Sequence, residues 1–169
     1  MKSIILTGMM GSGKTTCGRR IARKLGRAFV DTDEQIVSRA GRSIPEIFAS
    51  DGEAAFRDLE TAVCRSLEGQ EDLVIATGGG LVLRPENVAS LKRSGVVVFL
   101  DRPPEAIFAS TSMAGRPLAQ GGREAFLETF ARREATYRNT ADLTVRAAGT
   151  VEETVRNLLR RLSEWEGVI

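Results

Sequence analysis

Short, continuously apolar runs alternate with amphipathic stretches along the chain. The apolar runs predict buried strands at residues 3–7, 27–31, 72–76, 96–101 and 142–145. Apolar spacings of three and four, with start and stop signals, predict helices at residues 14–25, 33–40, 43–50, 53–67, 84–95, 104–112, 124–139 and 151–165. The Gly-rich segment 113–123 predicts a mobile loop.

This alternation of strands and helices predicts an α/β fold. Because the strands are apolar throughout rather than at every second residue, we expect a parallel sheet covered by helices on both faces, a three-layer sandwich. No repeat, low-complexity tract or linker divides the sequence, so residues 1–169 are predicted to form one domain. A ligand is expected beyond the carboxyl ends of the strands.

Composition narrows the classes of partner and chemistry. The 24 basic residues nearly balance the 22 acidic ones, so charge gives no case for nucleic acid or a membrane as a partner. The first apolar run breaks at Gly8, which is too short for a signal peptide or a membrane span, and a cytoplasmic location is expected. The chain has no histidine, so acid–base chemistry falls to carboxylates or lysine. Cys17 and Cys64 lack zinc-site spacing; a disulfide stays open, although a reduced intracellular protein is favoured.

The segment "ILTGMMGSGKTT", residues 5–16, matches G-x-x-x-x-G-K-[ST] between a predicted strand and a predicted helix. Glycines let backbone N–H groups turn inward, and the start of the helix favours an anion. Lys14 is expected to reach the β- and γ-phosphates and the Thr15 hydroxyl to bind Mg²⁺. The predicted nucleotide-binding residues are Gly11, Ser12, Gly13, Lys14, Thr15 and Thr16. The motif indicates a nucleoside triphosphate without separating a kinase from an ATPase, although the absence of D-x-x-G and N-K-x-D argues against a GTPase.

Two carboxylates, Asp31 and Asp33, follow the second predicted strand. In a parallel sheet that end lies near the phosphate loop of the first strand. Carboxylates at this place can serve Mg²⁺ and position a substrate hydroxyl. The alternative for Asp33 is a cap on the helix that follows it.

Three further signals are weak when taken singly. The glycine run at residues 78–80 permits close approach of a backbone to a ligand, or simply a sharp loop. Arg57 can pair with Glu53 on a helix surface, and Arg133 can be a solvated helix charge.

Taken together, these segments resemble the shikimate kinase family. The resemblance rests on "GMMGSGKTTCGRRIARKLGRAFVDTDEQI", "GRSIPEIFASDGEAAFRDLE", "ATGGGLVLRPEN" and "GRPLA", and spans roughly residues 4–140. Its most specific parts are D-T-D, F-R-x-x-E with a preceding G-E, and T-G-G-G. The family fold it implies is a five-stranded parallel sheet, a P-loop NTPase of nucleoside-monophosphate-kinase type.

The resemblance also implies an activity and the residues that serve it. The activity is ATP-dependent phosphorylation of the 3-hydroxyl of shikimate, a step of aromatic amino acid biosynthesis, with Mg²⁺ as cofactor and a monomeric enzyme. Asp33, Lys14 and Arg116 are implied as catalytic, and Thr15 and Asp31 as metal-binding. The shikimate contacts implied are Asp33, Arg57, Gly78, Gly79, Gly80 and Arg133. Arg116 is the implied lid arginine that closes on the ATP phosphates, in a lid at about residues 110–124, and the substrate-binding helices are expected at about 32–61.

The chain departs from the family pattern mainly on the nucleotide side. The segment "FASTSMAG" lacks the arginine that members usually carry before R-P-L, and "REATY" has Ala-Thr-Tyr where Pro-Leu-Tyr is usual. The segment "VRAAGTVEE" lacks the usual D-T and the following proline, and Thr150 stands where a basic residue is common. Two alternatives therefore stay open. One is a kinase of another small polyol or hydroxy acid, such as gluconate, and the other is a domain of kinase ancestry that binds its ligand without turnover.

Overall fold

A computed structural model describes residues 1–110 and 121–169 of the chain. The strands are β1 (Ser3–Thr7), β2 (Ala28–Asp31), β3 (Leu73–Ala76), β4 (Gly95–Asp101) and β5 (Leu143–Arg146). The helices are α1 (Lys14–Leu25), α2 (Thr32–Ala40), α3 (Ile44–Leu67), α4 (Pro85–Ser94), α5 (Pro104–Ser110), α6 (Gly122–Thr140) and α7 (Val151–Leu162), with a short 3-10 helix at Leu81–Leu83.

The strands form one parallel sheet in the order β2-β3-β1-β4-β5. β1 is central and fully buried, and its Ile5 lies in register with Ile75 of β3 and Val97 of β4. The order places the ends of β2 and β3 on one side of the loop that follows β1, and the ends of β4 and β5 on the other. The α/β prediction with a five-stranded parallel sheet is confirmed.

Helices cover both faces of the sheet, because successive β1 side chains point to opposite sides. On one face Ile4 and Leu6 belong to a core that includes residues of α1 and α7. On the other, Ile5 belongs to a core that includes residues of α3 and α4. The two cysteines are buried and free, so they form no disulfide.

Several predicted boundaries differ from the structure. The helices expected at 43–50 and 53–67 are joined in α3, although Gly52, with φ of 85°, interrupts the helical geometry between them. The helix expected at 124–139 begins earlier, at Gly122, while residues 113–120 of the expected loop lie outside the described residues. Near the start of α6, Phe126 is buried in edge-to-face contact with Phe108. The closing helix ends at Leu162 rather than 165.

Within the described ranges, no helix has the length and apolar character needed to cross a membrane.

Candidate active site

The loop from Gly8 to Thr15, here called the phosphate loop, turns on glycine. Gly8, Gly11 and Gly13 have φ values of 140°, 81° and 95°, which L side chains rarely adopt. A Cβ on Gly8 would also lie only 2.8 Å from the carbonyl oxygen of Leu100 in β4. The loop therefore runs close against β4 before α1 begins, and the first N–H groups of α1, which lack partners within the helix, favour an anion.

Lys14 lies folded into the phosphate loop. Its side chain is buried, and Nζ donates to the carbonyl oxygens of Gly8 and Met9, each at 2.7 Å. Burial lowers the pKa of Lys14 from 10.5 to about 8, against the opposing charges of Asp33 and Asp31. The ammonium is thus held at the loop by two carbonyl groups and lies at the cavity described next.

A cavity of about 470 Å³ lies at the carboxyl ends of the strands. The phosphate loop and the start of α1 line it with Gly11, Gly13, Lys14, Thr15 and Thr16. The ends of β2 and β3 add Asp31, Asp33, Gly78 and Gly79. Of the predicted nucleotide-binding residues, Ser12 has a different setting: it is buried, and its N–H donates to the carbonyl oxygen of Met9 at 3.1 Å. The cavity therefore joins the predicted phosphate side to the predicted acceptor side.

Asp31 ties the phosphate loop to α2. Its Oδ2 accepts a hydrogen bond of 3.0 Å from the Thr15 hydroxyl, and its Oδ1 accepts from the N–H groups of Asp33 and Glu34. Asp31 therefore caps α2, so the alternative that gave the cap to Asp33 is wrong. The reason is geometric, because Asp31 ends β2 in extended backbone, as an N-cap requires. The hydroxyl and carboxylate oxygens at this place are of the kind that Mg²⁺ prefers.

Asp33 is left with an unused acceptor oxygen. A Cβ on Gly78 would lie 2.7 Å from Oδ1 of Asp33 and 3.2 Å from Oε2 of Glu60. Both of these oxygens are buried, and neither has a hydrogen-bond partner among the described residues. Burial, helped by the charge of Asp31, raises the pKa of Asp33 above its ordinary value, although Lys14 opposes it. A carboxylate whose pKa is raised takes up a proton more readily, which is what a general base at an active site must do.

Arg57 is anchored by a carboxylate that the sequence interpretation missed. Its Nη1 donates to Oε1 of Glu60 at 2.6 Å, and its Nη2 donates to Glu53 at 3.3 Å. Glu60 is 1% exposed, and burial raises its pKa although Arg57 opposes this. The signal was available, since Glu60 lies four residues after Phe56 and three before Val63 and so shares the apolar face of the helix.

Each glycine of the 78–80 run meets a different polar group. Gly78 faces Asp33, and a side chain on Gly80 would overlap the guanidinium of Arg57. A Cβ on Gly79 would lie 3.4 Å from Nη1 of Arg133. The run is therefore the point at which the predicted substrate residues converge.

Two more residues near the cavity are not among those predicted from the sequence. Arg102 lines the cavity and donates to the carbonyl oxygen of Gly11 at 3.4 Å. Tyr137 donates its hydroxyl to the carbonyl oxygen of Gly79. The position of Arg102 just after β4, next to the phosphate loop, was a usable signal once β4 was placed beside β1. Arg116 lies outside the described residues, so its predicted role in a lid stays a prediction.

Comparisons with known proteins agree with this geometry. A family model for shikimate kinase matches residues 10–163. A shikimate kinase of Neisseria meningitidis serogroup C is 45% identical over 163 residues, 95% of each chain. The structure of shikimate kinase from Acinetobacter baumannii in complex with shikimate matches with a TM-score of 0.90 at 35% identity, over 97% of this chain and 94% of that one. A gluconokinase from Sinorhizobium meliloti shares the fold, with a TM-score of 0.66 at 21% identity over 96% of this chain and 92% of that one. This chain belongs to the shikimate kinase family.

Proposed function

We propose that this chain transfers the γ-phosphoryl group of ATP to the 3-hydroxyl of shikimate and releases shikimate 3-phosphate and ADP. The observation that carries the proposal is the convergence of Asp33, Arg57 and Arg133 on one glycine run beside a phosphate loop. Membership of the shikimate kinase family supports the same reaction. Likeness to the gluconokinase supports the fold alone.

The acceptor side of the cavity suits a small hydroxylated carboxylate. Shikimate carries one carboxylate, and the guanidinium groups of Arg57 and Arg133 are matched to such a group in charge and shape. Its hydroxyls are donors, and the unpartnered buried Oδ1 of Asp33 is an acceptor. Glycine at 78–80 leaves room for the ring to approach the backbone.

The phosphate side of the cavity suits ATP with Mg²⁺. We assign the phosphates to the loop N–H groups and to Lys14, whose ammonium exchanges its loop carbonyls for phosphate oxygens. Thr15 and Asp31 would hold Mg²⁺, which when bound offsets charge on the β- and γ-phosphates. Mg²⁺ typically takes one or two protein ligands beside phosphate and water oxygens, and the Thr15 hydroxyl and Asp31 carboxylate, 3.0 Å apart, are two such oxygens.

In the transfer step, the 3-hydroxyl oxygen of shikimate attacks the γ-phosphorus, and the bond from that phosphorus to the bridging oxygen of ADP breaks. Asp33 accepts the hydroxyl proton through Oδ1 as the new bond forms, and its raised pKa suits that task. Lys14 stabilises charge on the transferred group. Arg116 is expected to add a second positive charge from the lid.

A substrate panel tests the proposal. The purified protein is supplied with ATP, Mg²⁺ and either shikimate or gluconate, and ADP release is followed with a coupled assay. We expect turnover with shikimate and only background with gluconate. A protein that binds ATP but turns over gluconate in preference would establish the other small-molecule kinase, and one that binds shikimate without turnover would establish the sensor domain.

The predicted oligomeric state and location belong to the same proposal. We expect a monomer, with ATP and shikimate as its small-molecule partners and neither nucleic acid nor a membrane, and a cytoplasmic location. Light scattering coupled to size-exclusion chromatography checks the first, and cell fractionation checks the second. A dimeric mass or recovery with the membrane fraction would contradict these expectations.

A further inference from the structure

Tyr137 is buried behind the glycine run, at a place where three parts of the site meet. Its side chain is completely buried, and its ring stacks on Phe99 of β4 with centroids 5.2 Å apart. It lies one helical turn after Arg133 in α6, so both side chains leave the same face of that helix. The sulfur of Met9, in the phosphate loop, is 3.5 Å from the hydroxyl oxygen.

The Tyr137 hydroxyl donates to the carbonyl oxygen of Gly79. The Arg133 guanidinium reaches the same residue, since a Cβ on Gly79 would lie 3.4 Å from Nη1 of Arg133 and 3.7 Å from the Tyr137 hydroxyl oxygen. The hydroxyl therefore holds the backbone against which one substrate-binding guanidinium packs. Because the ring is locked by burial and by Phe99, the hydroxyl has little freedom to move away.

The bond to Gly79 reaches the second arginine as well. The carbonyl of Gly79 and the N–H of Gly80 belong to one planar peptide, so holding the oxygen also sets the direction of that N–H. Gly80 packs directly against the guanidinium of Arg57, where a Cβ would overlap it. Gly78 is held separately, by donation of its N–H to the Thr32 hydroxyl at 3.0 Å.

We infer that Tyr137 is a positioning residue for shikimate, whose hydroxyl holds the Gly79–Gly80 peptide against Arg133 and Arg57 in the geometry that the substrate carboxylate and ring require. This rests on the proposed function. Tyr137 itself need not touch shikimate. It acts through the Gly79–Gly80 peptide, against which Arg133 and Arg57 pack.

The test is Tyr137→Phe, which removes the hydroxyl and keeps the ring. Isothermal titration calorimetry is expected to give shikimate binding weakened about three- to tenfold, the size of one lost hydrogen bond, with binding of a non-hydrolysable ATP analogue changed less than about twofold. Thr140→Val is the matched control, since its hydroxyl lies on the same helix and, within the described part of the chain, donates to backbone carbonyls of that helix alone. This control is expected to leave both affinities unchanged.

A double-mutant cycle separates positioning from packing. If the hydroxyl holds the backbone against which Arg133 packs, Tyr137→Phe costs less shikimate affinity in an Arg133→Ala background than in the wild type. A purely structural role predicts a lower thermal midpoint and no change in shikimate affinity in either background. Equal shikimate affinity of Tyr137→Phe and wild type, or equal costs in the two backgrounds, would overturn the inference while leaving the proposed function intact.

A second measurement does not depend on a variant that folds. Tyr137 is the single tyrosine of the chain, so tyrosine labelled with ¹³C at Cζ gives one NMR signal that reports on this hydroxyl. Saturating shikimate is expected to shift that signal. An unshifted signal with shikimate bound would overturn the inference, whereas wild-type protein that binds no shikimate by calorimetry would overturn the proposed function and the inference with it.

Discussion

Arg57 and Glu60 form an ion pair of 2.6 Å within α3, and Glu60 is almost wholly shielded from solvent. The pair sets one of the two predicted carboxylate-binding groups against the glycine run. Because burying a charge is costly unless it is paired, the guanidinium has two tasks here: it compensates Glu60 and it faces the substrate. The two tasks can be separated by mutation.

Arg57→Ala is expected to weaken shikimate binding about 10- to 100-fold, the size of a lost charge-assisted hydrogen bond, and to leave ATP binding in place. It is also expected to lower the thermal midpoint, since Glu60 is left buried without its partner. Calorimetry and thermal unfolding measure the two effects. In Arg57→Ala/Glu60→Gln the midpoint is expected to recover while shikimate affinity does not. Equal loss of ATP and shikimate binding in Arg57→Ala would contradict the assignment.

Asp33→Asn is expected to lower kcat about 10²- to 10⁴-fold, the range typical of a removed general base, with smaller changes in shikimate affinity. Asparagine keeps the size and a polar oxygen but cannot take the hydroxyl proton. Single-turnover kinetics separate the chemical step from product release. A variant that retains most of its kcat would show that Asp33 only positions the hydroxyl.

The same substitution is expected to stabilise the protein at neutral pH. The folded-state pKa of Asp33 is raised above 3.8, so above that pH the folded chain holds a proton that the unfolded chain has lost, and stability falls as pH rises. Asparagine removes this cost. The gain in thermal midpoint over wild type should therefore be larger at pH 7 than at pH 4, and a gain independent of pH would contradict the raised pKa.

The lowered pKa of Lys14 predicts that the affinity for nucleotide falls in mildly alkaline solution. Its pKa of about 8 in the free protein means that binding of ATP above that pH must first restore the proton. The affinity of wild-type protein for a non-hydrolysable ATP analogue is expected to fall about tenfold between pH 7 and 9. Lys14→Met should bind weakly at both values and show no such fall. A wild-type affinity that is flat over this range would exclude a lowered pKa.

The position of Arg102 predicts a contact with the nucleotide in addition to those of the phosphate-loop motif. It lines the cavity on the β4 side of the phosphate loop, opposite the acceptor residues of β2 and β3. Arg102→Ala is expected to weaken ATP binding about tenfold and to leave shikimate binding unchanged. The affinity for inorganic tripolyphosphate, which has no nucleoside, separates two ways in which Arg102 can act on ATP binding. Unchanged tripolyphosphate affinity places Arg102 at the nucleoside, and an equal loss means that it acts through the phosphate loop and Gly11.

Sequence reasoning succeeded where the signal was local. Glycines 8 and 13 with Lys14 specify a turn and a helix start within eight residues, and the apolar runs locate the strands because each is buried on both faces. The cap on α2 was harder, since it depended on where the helix begins. β2 ends at residue 31 as predicted, but α2 begins at Thr32 rather than at 33, and Asp31 is the residue that caps it.

Contacts between distant segments lay beyond such reasoning. Tyr137 and Gly79 are 58 residues apart, and nothing in "REATY" indicates that its hydroxyl meets the glycine run. The spacing of Glu60 to Phe56 and Val63 indicates the apolar face of its helix, but the contact of its partner Arg57 with Gly80 depends on how α3 packs on the sheet. Arg102 became a cavity residue only because the sheet order sets β4 beside β1.

The most direct test of the account is a crystal structure of the protein with shikimate and ADP. We predict that the shikimate carboxylate contacts the guanidinium groups of Arg57 and Arg133, and that its 3-hydroxyl lies within hydrogen-bonding distance of Asp33 and faces the phosphate loop. Shikimate bound with its carboxylate away from both arginines, or with its 3-hydroxyl turned from Asp33, would contradict the account.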